Sequence, residues 1–203
     1  MNLTNTTGHD ITAMTATVSA AFMDLPPSQW LIPDPRAREQ VFPDYFQLYV
    51  ELGLLRGRVY SSNGHQAVAI WLPITTDTHP ALPGYNTRLA AITGAHIDRF
   101  TTFDTILEEC HPATEHDHLA ILAVSPALQG QGIGTALLER HHRVLDQRRR
   151  RGYLEAASER DAGYYEKRSW HRLGDPFTLP GGPPMWPMWR HPDTRPGTVR
   201  RQP

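Results

Sequence analysis

Leu119-Ala-Ile-Leu-Ala-Val-Ser-Pro-Ala-Leu-Gln129-Gly130-Gln131-Gly132-Ile133-Gly134-Thr135 is an apolar run of strand length that passes through a glycine-rich turn into a strongly helical stretch. Near-continuous apolar character over 119–124, ended by Ser125-Pro126, predicts a buried strand. The helix is predicted from Gly132 to about Arg151, with Leu137, His141, Val144 and Leu145 on its buried stripe. Glycines lack a Cβ, so consecutive backbone N–H groups can converge on one anion, and the open N–H groups of the following helix add partial positive charge. Gln129, Gly130, Gln131, Gly132, Ile133, Gly134 and Thr135 are therefore candidates to hold a pyrophosphate.

Two other phosphate turns fit less well. A dinucleotide fingerprint needs a third glycine where Thr135 stands and an acidic residue closing a following strand. A Walker loop needs a lysine directly after the glycines, and none is there.

Upstream, Ile11, Met14, Val18, Phe22 and Leu25 recur at helical spacing behind Asp10, a predicted N-cap, and Pro26-Pro27 is predicted to end that helix. A second helix is expected from about Ala37 to Leu55, with Pro43 in its first turn or breaking it. Its stripe is Tyr45, Leu48, Tyr49 and Leu52. Arg58-Val59-Tyr60 and the run from Ala67 to Leu72 flank Asn63-Gly64, which predicts two antiparallel strands. A Pro-rich loop over 75–84 and broken helix up to His111-Pro112 follow. Downstream, Tyr153 to Ala157 reads as a strand and Asp161 to Lys167 as a short helix. Trp170 to Leu173 and Met185 to Trp189 read as strands around a Pro-Gly loop. One domain over 1–190 is expected, with a disordered tail over 191–203 rich in Pro and Arg.

Bulk composition narrows the function. Twenty basic against 21 acidic residues give a net charge of −1, which supplies no long-range field for polyanions, so no nucleic-acid partner is expected. No apolar run reaches the roughly 18 residues that cross a bilayer, so no membrane partner is expected. The N-terminus shows no secretory pattern and Cys110 is the single cysteine, so a reducing cytoplasm is the expected location. Glu115, His116, Asp117 and His118 stand before the central strand and read as a polar loop, with a base or a substrate contact as the alternative. With His111 they match no closed zinc spacing, and no metal is expected. Cys110 has neither a helix N-terminus nor a partnered base in sequence, so direct transfer is preferred over a covalent route through it.

Gln129-x-x-Gly132-x-Gly134 after an apolar strand resembles the acetyl-CoA-binding signature of the GNAT acetyltransferases. The segment from Tyr153 through Glu155, Asp161, Tyr164 and Tyr165 to Ser169-Trp170 resembles that family's next strand and its aromatic-Tyr-Glu-Lys/Arg-x-Gly-Phe ending, in the family's order and spacing. Asp161 stands where many members have Asn, Ser169 replaces the usual Gly and Trp170 the usual Phe, so a more strained turn is expected there. The order of Ala21-Phe22, Asp34-Pro35, Ala67-Val-Ala-Ile-Trp71, His111-Pro112 and both blocks is similar to the puromycin N-acetyltransferase branch along most of the chain.

The resemblance implies a mixed α/β fold of GNAT type, with a central, mainly antiparallel sheet, a splayed parallel strand pair and helices on both faces. It implies acetyl-CoA as cosubstrate, its pantetheine arm lying between the splayed strands along Leu122, Ala123 and Val124, with Asp161 and Tyr164 also at the cofactor. Tyr165 would protonate the departing thiolate, since a phenol is matched to a thiol. Attack needs a neutral amine, and Glu155 is the first candidate for the base. Phe22, Trp30 and Trp186 would bound an acceptor pocket, whose Trp, Pro and Met content suits an apolar or aromatic amine. The implied activity is acetyl transfer to the primary amine of a small molecule, such as an amine-bearing antibiotic or related metabolite. Two alternatives stay open: a noncatalytic acetyl-CoA-binding module, and a protein or peptide N-acetyltransferase. Monomer and homodimer are equally open.

Overall fold

The structure is a computed structural model that describes residues 3–5, 10–75 and 80–193. From residue 194 on, the expected tail lies outside the described residues, as does the 76–79 part of the Pro-rich loop.

Helices α1 (Ile11–Phe22), α2 (Pro26–Leu31) and α3 (Pro35–Arg56) follow the short strand β1 (Leu3–Asn5). Pro26-Pro27 starts a helix rather than merely ending one, because a proline at the first helical positions forfeits only an N–H that has no partner there. Asp34 caps α3 by accepting from the Arg36 N–H at 3.1 Å. Pro43 lies well inside α3, neither in its first turn nor at a break. Pro43 and Glu39, whose carbonyl loses its partner, are both exposed, so water can replace the missing bond.

Strands β2 (Arg58–Ser62) and β3 (Ala67–Ile74) form the expected antiparallel pair, joined by a tight turn over Asn63–His65. Helices α4 (Tyr85–Thr93) and α5 (Ile97–Cys110) are the expected broken helix, split by a turn at Gly94. Strand β4 (His116–Val124) begins three residues before Leu119 and takes in His116, Asp117 and His118, so these are not a loop. Helix α6 (Ile133–Arg148) stops short of Arg151 because Arg149 takes a left-handed cap at φ 52°. Strand β5 (Gly152–Ala156), helix α7 (Glu159–Glu166) and strands β6 (His171–Arg172), β7 (Phe177–Thr178) and β8 (Pro184–Arg190) complete the chain. The small strand β7, absent from the sequence reading, pairs with β8.

The sheet runs β1-β2-β3-β4-β5-β8-β6 and is antiparallel except for β4 and β5. Its mixed α/β architecture is the expected fold class. One core, built on Phe42, Tyr45, Phe46, Ile70, Phe100 and Ile121, fills the face covered by α1 to α5. A second, built on Trp71, Leu137, Leu138, Leu154 and Trp170, fills the face covered by α6 and α7. The alternation of β5 decides which residues face which side: Leu154 and Ala156 join the second core. Tyr153 and Glu155 point the other way, among His118 of β4 and His111, which follows α5.

Candidate active site

Strands β4 and β5 share only two rungs, Asp117 with Gly152 and His118 with Tyr153, and then part. The cause is visible on the other edge of β4, where Ile70 pairs with Ile121 while Trp71 pairs with Leu119. Ala120 is thus an extra residue, and such a bulge bends its strand. Among the described residues, the β5-facing edge of β4 beyond His118, which carries Leu122, Ala123 and Val124, has no ladder partner.

The rung below the split is pinned. Asp117 Oδ2 lies 2.9 Å from His141 Nε2, and Arg150 Nε donates to Asp117 Oδ1 at 2.6 Å. The same guanidinium donates to the carbonyls of Ile74 and His116 at 2.7 and 3.0 Å. His141, fully buried, stacks on Trp71 with ring centroids 4.0 Å apart and meets the Tyr60 hydroxyl at 3.0 Å. Burial opposes ionisation of Asp117, yet His141 and Arg150 outweigh it and hold its carboxyl below the ordinary value.

On the face covered by α1 to α5, His118 Nε2 lies 2.9 Å from Glu155 Oε2, and His111 Nδ1 lies 3.8 Å from Glu155 Oε1. His111 Nε2 in turn lies 2.9 Å from His116 Nε2, whose other nitrogen meets the Thr114 carbonyl at 2.6 Å. A carbonyl only accepts, so His116 carries its proton on Nδ1, and its Nε2 accepts from His111. Burial pushes His116 down to about 4, so this ring is neutral at pH 7. The Glu155 side chain is only 7% exposed. Burial works against its ionisation, but the imidazoles of His118 and His111 outweigh burial and hold it well below the ordinary value of 4.5.

On the opposite face, Tyr165 packs edge-on against Trp170 and Tyr164, with centroids 5.9 and 5.2 Å away. Burial, helped by Tyr164 and Asp161, pushes its phenol well above 10.0, so it keeps its proton at neutral pH. Ser169 sits at φ 65°, the left-handed conformation that a glycine takes without cost, which makes the turn after α7 the strained one expected.

The glycine turn has the shape of an anion cradle. Gly130 and Gly132 take φ 78° and 79°, and a Cβ at either would meet nothing within 4 Å. Gly132 caps α6 without a side chain, and the helix offers its first N–H groups at Ile133, Gly134 and Thr135. A Cβ on Gly134 would come within 3.4 Å of the Tyr164 hydroxyl and of Val124 Cγ2, so the turn lies against the free end of β4. Gln129 Nε2 donates back to the Val124 carbonyl at 3.2 Å, and Gln131 is exposed on the turn. Thr135 Oγ1 lies 3.2 Å from the Tyr164 hydroxyl. Asp161 accepts from the Ser158 hydroxyl at 2.7 Å, and its N–H donates back to Ser158 at 3.1 Å, so its side chain is engaged at the start of α7. A turn of open N–H groups beside a strand edge that has no ladder partner among the described residues has the shape to take a pyrophosphate that continues into an extended amide-bearing arm.

Two further residues stand in this arrangement, one of them only an alternative in the sequence reading and the other absent from it. His118 is Glu155's partner, and its alternation with His116 ahead of an apolar run is a period-two signal that could have placed both on a strand. Arg168 donates to Thr135 Oγ1 at 3.0 Å and to the Tyr164 carbonyl at 2.6 Å, and lies 3.7 Å from the Tyr164 ring centroid. No local pattern marks it.

Of the three acceptor-wall residues, Phe22 and Trp30 pack on the first core and Trp186 belongs to the second. Phe22 packs on Phe46 with centroids 5.1 Å apart, within the first core. Trp30 donates to the Pro180 carbonyl at 3.0 Å and lies against Gly182, where a Cβ would strike its ring at 2.3 Å. Trp186 pairs with Ala156 and belongs to the second core. Cys110 has its thiol pushed above 9.0 by burial and by Glu155 and Glu109. Among the described residues, no group of three or more His, Cys, Asp or Glu is arranged to hold a metal ion, and no helix is long and apolar enough to cross a membrane.

Residues 97–171 match the family model of the acetyltransferase (GNAT) domain. The chain is also similar to solved structures along nearly its whole length. A Corynebacterium glutamicum protein described as histone acetyltransferase HPA2 and related acetyltransferase is 25% identical, with a TM-score of 0.71 over 98% of both chains. Arylalkylamine N-acetyltransferase 2 from Aedes aegypti is 11% identical, with a TM-score of 0.62 over 94% of this chain and 98% of that one. The polyamine N-acetyltransferase of Drosophila melanogaster is 12% identical, with a TM-score of 0.54 over 94% and 99%. With its parted parallel strands and glycine turn, the chain has a GNAT fold in which residues 97–171 match the acetyltransferase (GNAT) domain, and that domain is the mark of an N-acetyltransferase.

Proposed function

We propose that this enzyme transfers an acetyl group from acetyl-CoA to the primary amine of a small molecule by direct attack in a ternary complex. The observation that carries the reading is the placement of two kinds of proton-handling group on opposite faces of a sheet that is parted between them. His118 and Glu155 occupy one face, and Tyr165 the other. An amine can therefore approach from the α1-to-α5 face while the thiolate leaves toward the phenol.

Bound acetyl-CoA supplies the activated acetyl group; the rest is done by this chain. The glycine turn holds the pyrophosphate, and Leu122, Ala123 and Val124 offer their backbone to the extended arm and to charge growing on the acyl oxygen. Glu155, held ionised, is itself a weak base. Its better role is to accept from His118 Nε2–H, which leaves a lone pair on His118 Nδ1 to take the proton of the amine. Tyr165 carries a proton at neutral pH to give to the departing thiolate, and burial makes it a weaker acid than a phenol in water. The raised Cys110 thiol makes a poor nucleophile, which favours direct transfer over an acyl-cysteine.

The similarity to the puromycin N-acetyltransferase branch supports an amine-bearing antibiotic or related metabolite as acceptor. A panel of puromycin, amino acids, polyamines and short peptides, assayed by thiol release from acetyl-CoA, tests the reading. Transfer to free amines is expected; transfer to peptides alone would point to protein modification instead.

A further inference from the structure

A cavity of about 510 Å³ opens between α3, α4 and the 80–84 loop, a size that suits a small organic ligand. Leu48, Leu52 and Leu82 give it apolar walls, and Tyr49 and Tyr85 add phenols. It lies on the face of the sheet that carries Glu155, and the charge of Glu155 reaches Tyr49.

Behind Tyr85 stands a carboxylate, next to the residues that line the cavity but not one of them. Tyr85 donates to Asp104 Oδ2 at 2.9 Å, and the Tyr49 hydroxyl meets that of Tyr45 at 3.1 Å. Asp104 is half-buried, and among the described residues no Arg, Lys or His nitrogen lies within 4.0 Å of it. The nearby Glu51, by contrast, is satisfied by Arg88 at 2.6 Å and Gln47 at 2.7 Å. A carboxylate partly withdrawn from water among aromatic rings lacks a counter-charge that a cation would provide, through the ion pair and through the ring faces. Burial has pushed Asp104 up to about 6, the direction expected of a carboxylate short of positive neighbours.

We propose that this cavity receives the body of the acceptor and that Asp104, with Tyr49 and Tyr85, selects acceptors carrying a second cationic nitrogen at the end remote from the reacting amine. The proposal rests on the acetyl-transfer reading for its kinetic test and stands apart from it in its binding test.

The kinetic test compares n-hexylamine with hexamethylenediamine, which share an apolar chain and differ by one terminal ammonium. The diamine is expected to have the higher kcat/KM, on the order of tenfold after correction for its two equivalent ends. That ratio is expected to collapse toward one in Asp104→Asn. A wild-type enzyme that prefers the monoamine, or a preference unchanged in Asp104→Asn, overturns the proposal. Calorimetric titration of hexamethylenediamine into the wild type and into Leu52→Trp, which fills the cavity, decides the matter if neither amine is acetylated or Asp104→Asn does not fold. Binding to the wild type that Leu52→Trp abolishes upholds the pocket even if acetyl transfer fails. Absence of binding, or binding unaffected by the filled cavity, removes it.

Discussion

His118 Nε2 and Glu155 Oε2 stand 2.9 Å apart across two strands that stop pairing at His118 itself. The pair therefore sits where the sheet opens, with the bulge at Ala120 on one flank and the Asp117, His141 and Arg150 lock on the other.

In the proposed mechanism the two act as one unit, so their losses should not add. Glu155→Gln and His118→Gln are each expected to lower kcat by about 10²- to 10⁴-fold, the range of general base catalysis. The double variant should fall little further than the worse single one. Steady-state rates at saturating acetyl-CoA check this; a multiplicative loss would assign the residues separate roles.

Acid should weaken the fold through two buried imidazoles. Burial holds His116 at about 4 and His142 at about 3, against an ordinary value of 6.5. Both folded values are depressed, so the unfolded chain binds protons that these sites refuse. Their stabilisation is complete above pH 6.5, lost as the pH falls from there through about 4 and about 3, at up to about 1.4 kcal/mol per pH unit per site. His142→Gln, which can still accept from Trp170 Nε1 in place of the bond now 3.2 Å long, should flatten the slope of urea midpoints between those limits.

Much of this was readable in advance. A glycine-rich turn between a strand and a helix, and an apolar run such as 119–124, announce their conformation because backbone chemistry permits few substitutes. The inner position of Pro43 was not readable, since nothing local says that Glu39 and Pro43 face water. Nor was the strand that includes His116 and His118: polar side chains buried by pairing across to Glu155 and His111 look in sequence like solvated loop. The Tyr85 to Asp104 bond joins α4 to α5, and its cavity depends on how those helices lie on α3, which local periodicity does not encode.

The turn after α7 offers a gain in stability. Ser169 at φ 65° bears left-handed strain, so Ser169→Gly should stabilise the protein by up to about 1 kcal/mol once the looser unfolded chain is counted. Thermal unfolding of the two proteins side by side measures it.

Arg168 adds a positive charge beside the first turn of α6, where the helix dipole alone disfavours a cation and a bound pyrophosphate would favour one. Arg168→Gln should weaken acetyl-CoA binding by about tenfold, with a shallower dependence on salt than the wild type. Titrations at low and high ionic strength read both effects.

The most direct test of the account is single-turnover thiol release from acetyl-CoA with saturating amine, in the wild type and in Tyr165→Phe. The account predicts release in the wild type, slowed by about 10²-fold or more in the variant while its affinity for acetyl-CoA is kept. Equal rates in the two proteins, or tight acetyl-CoA binding with no release from either, would contradict it.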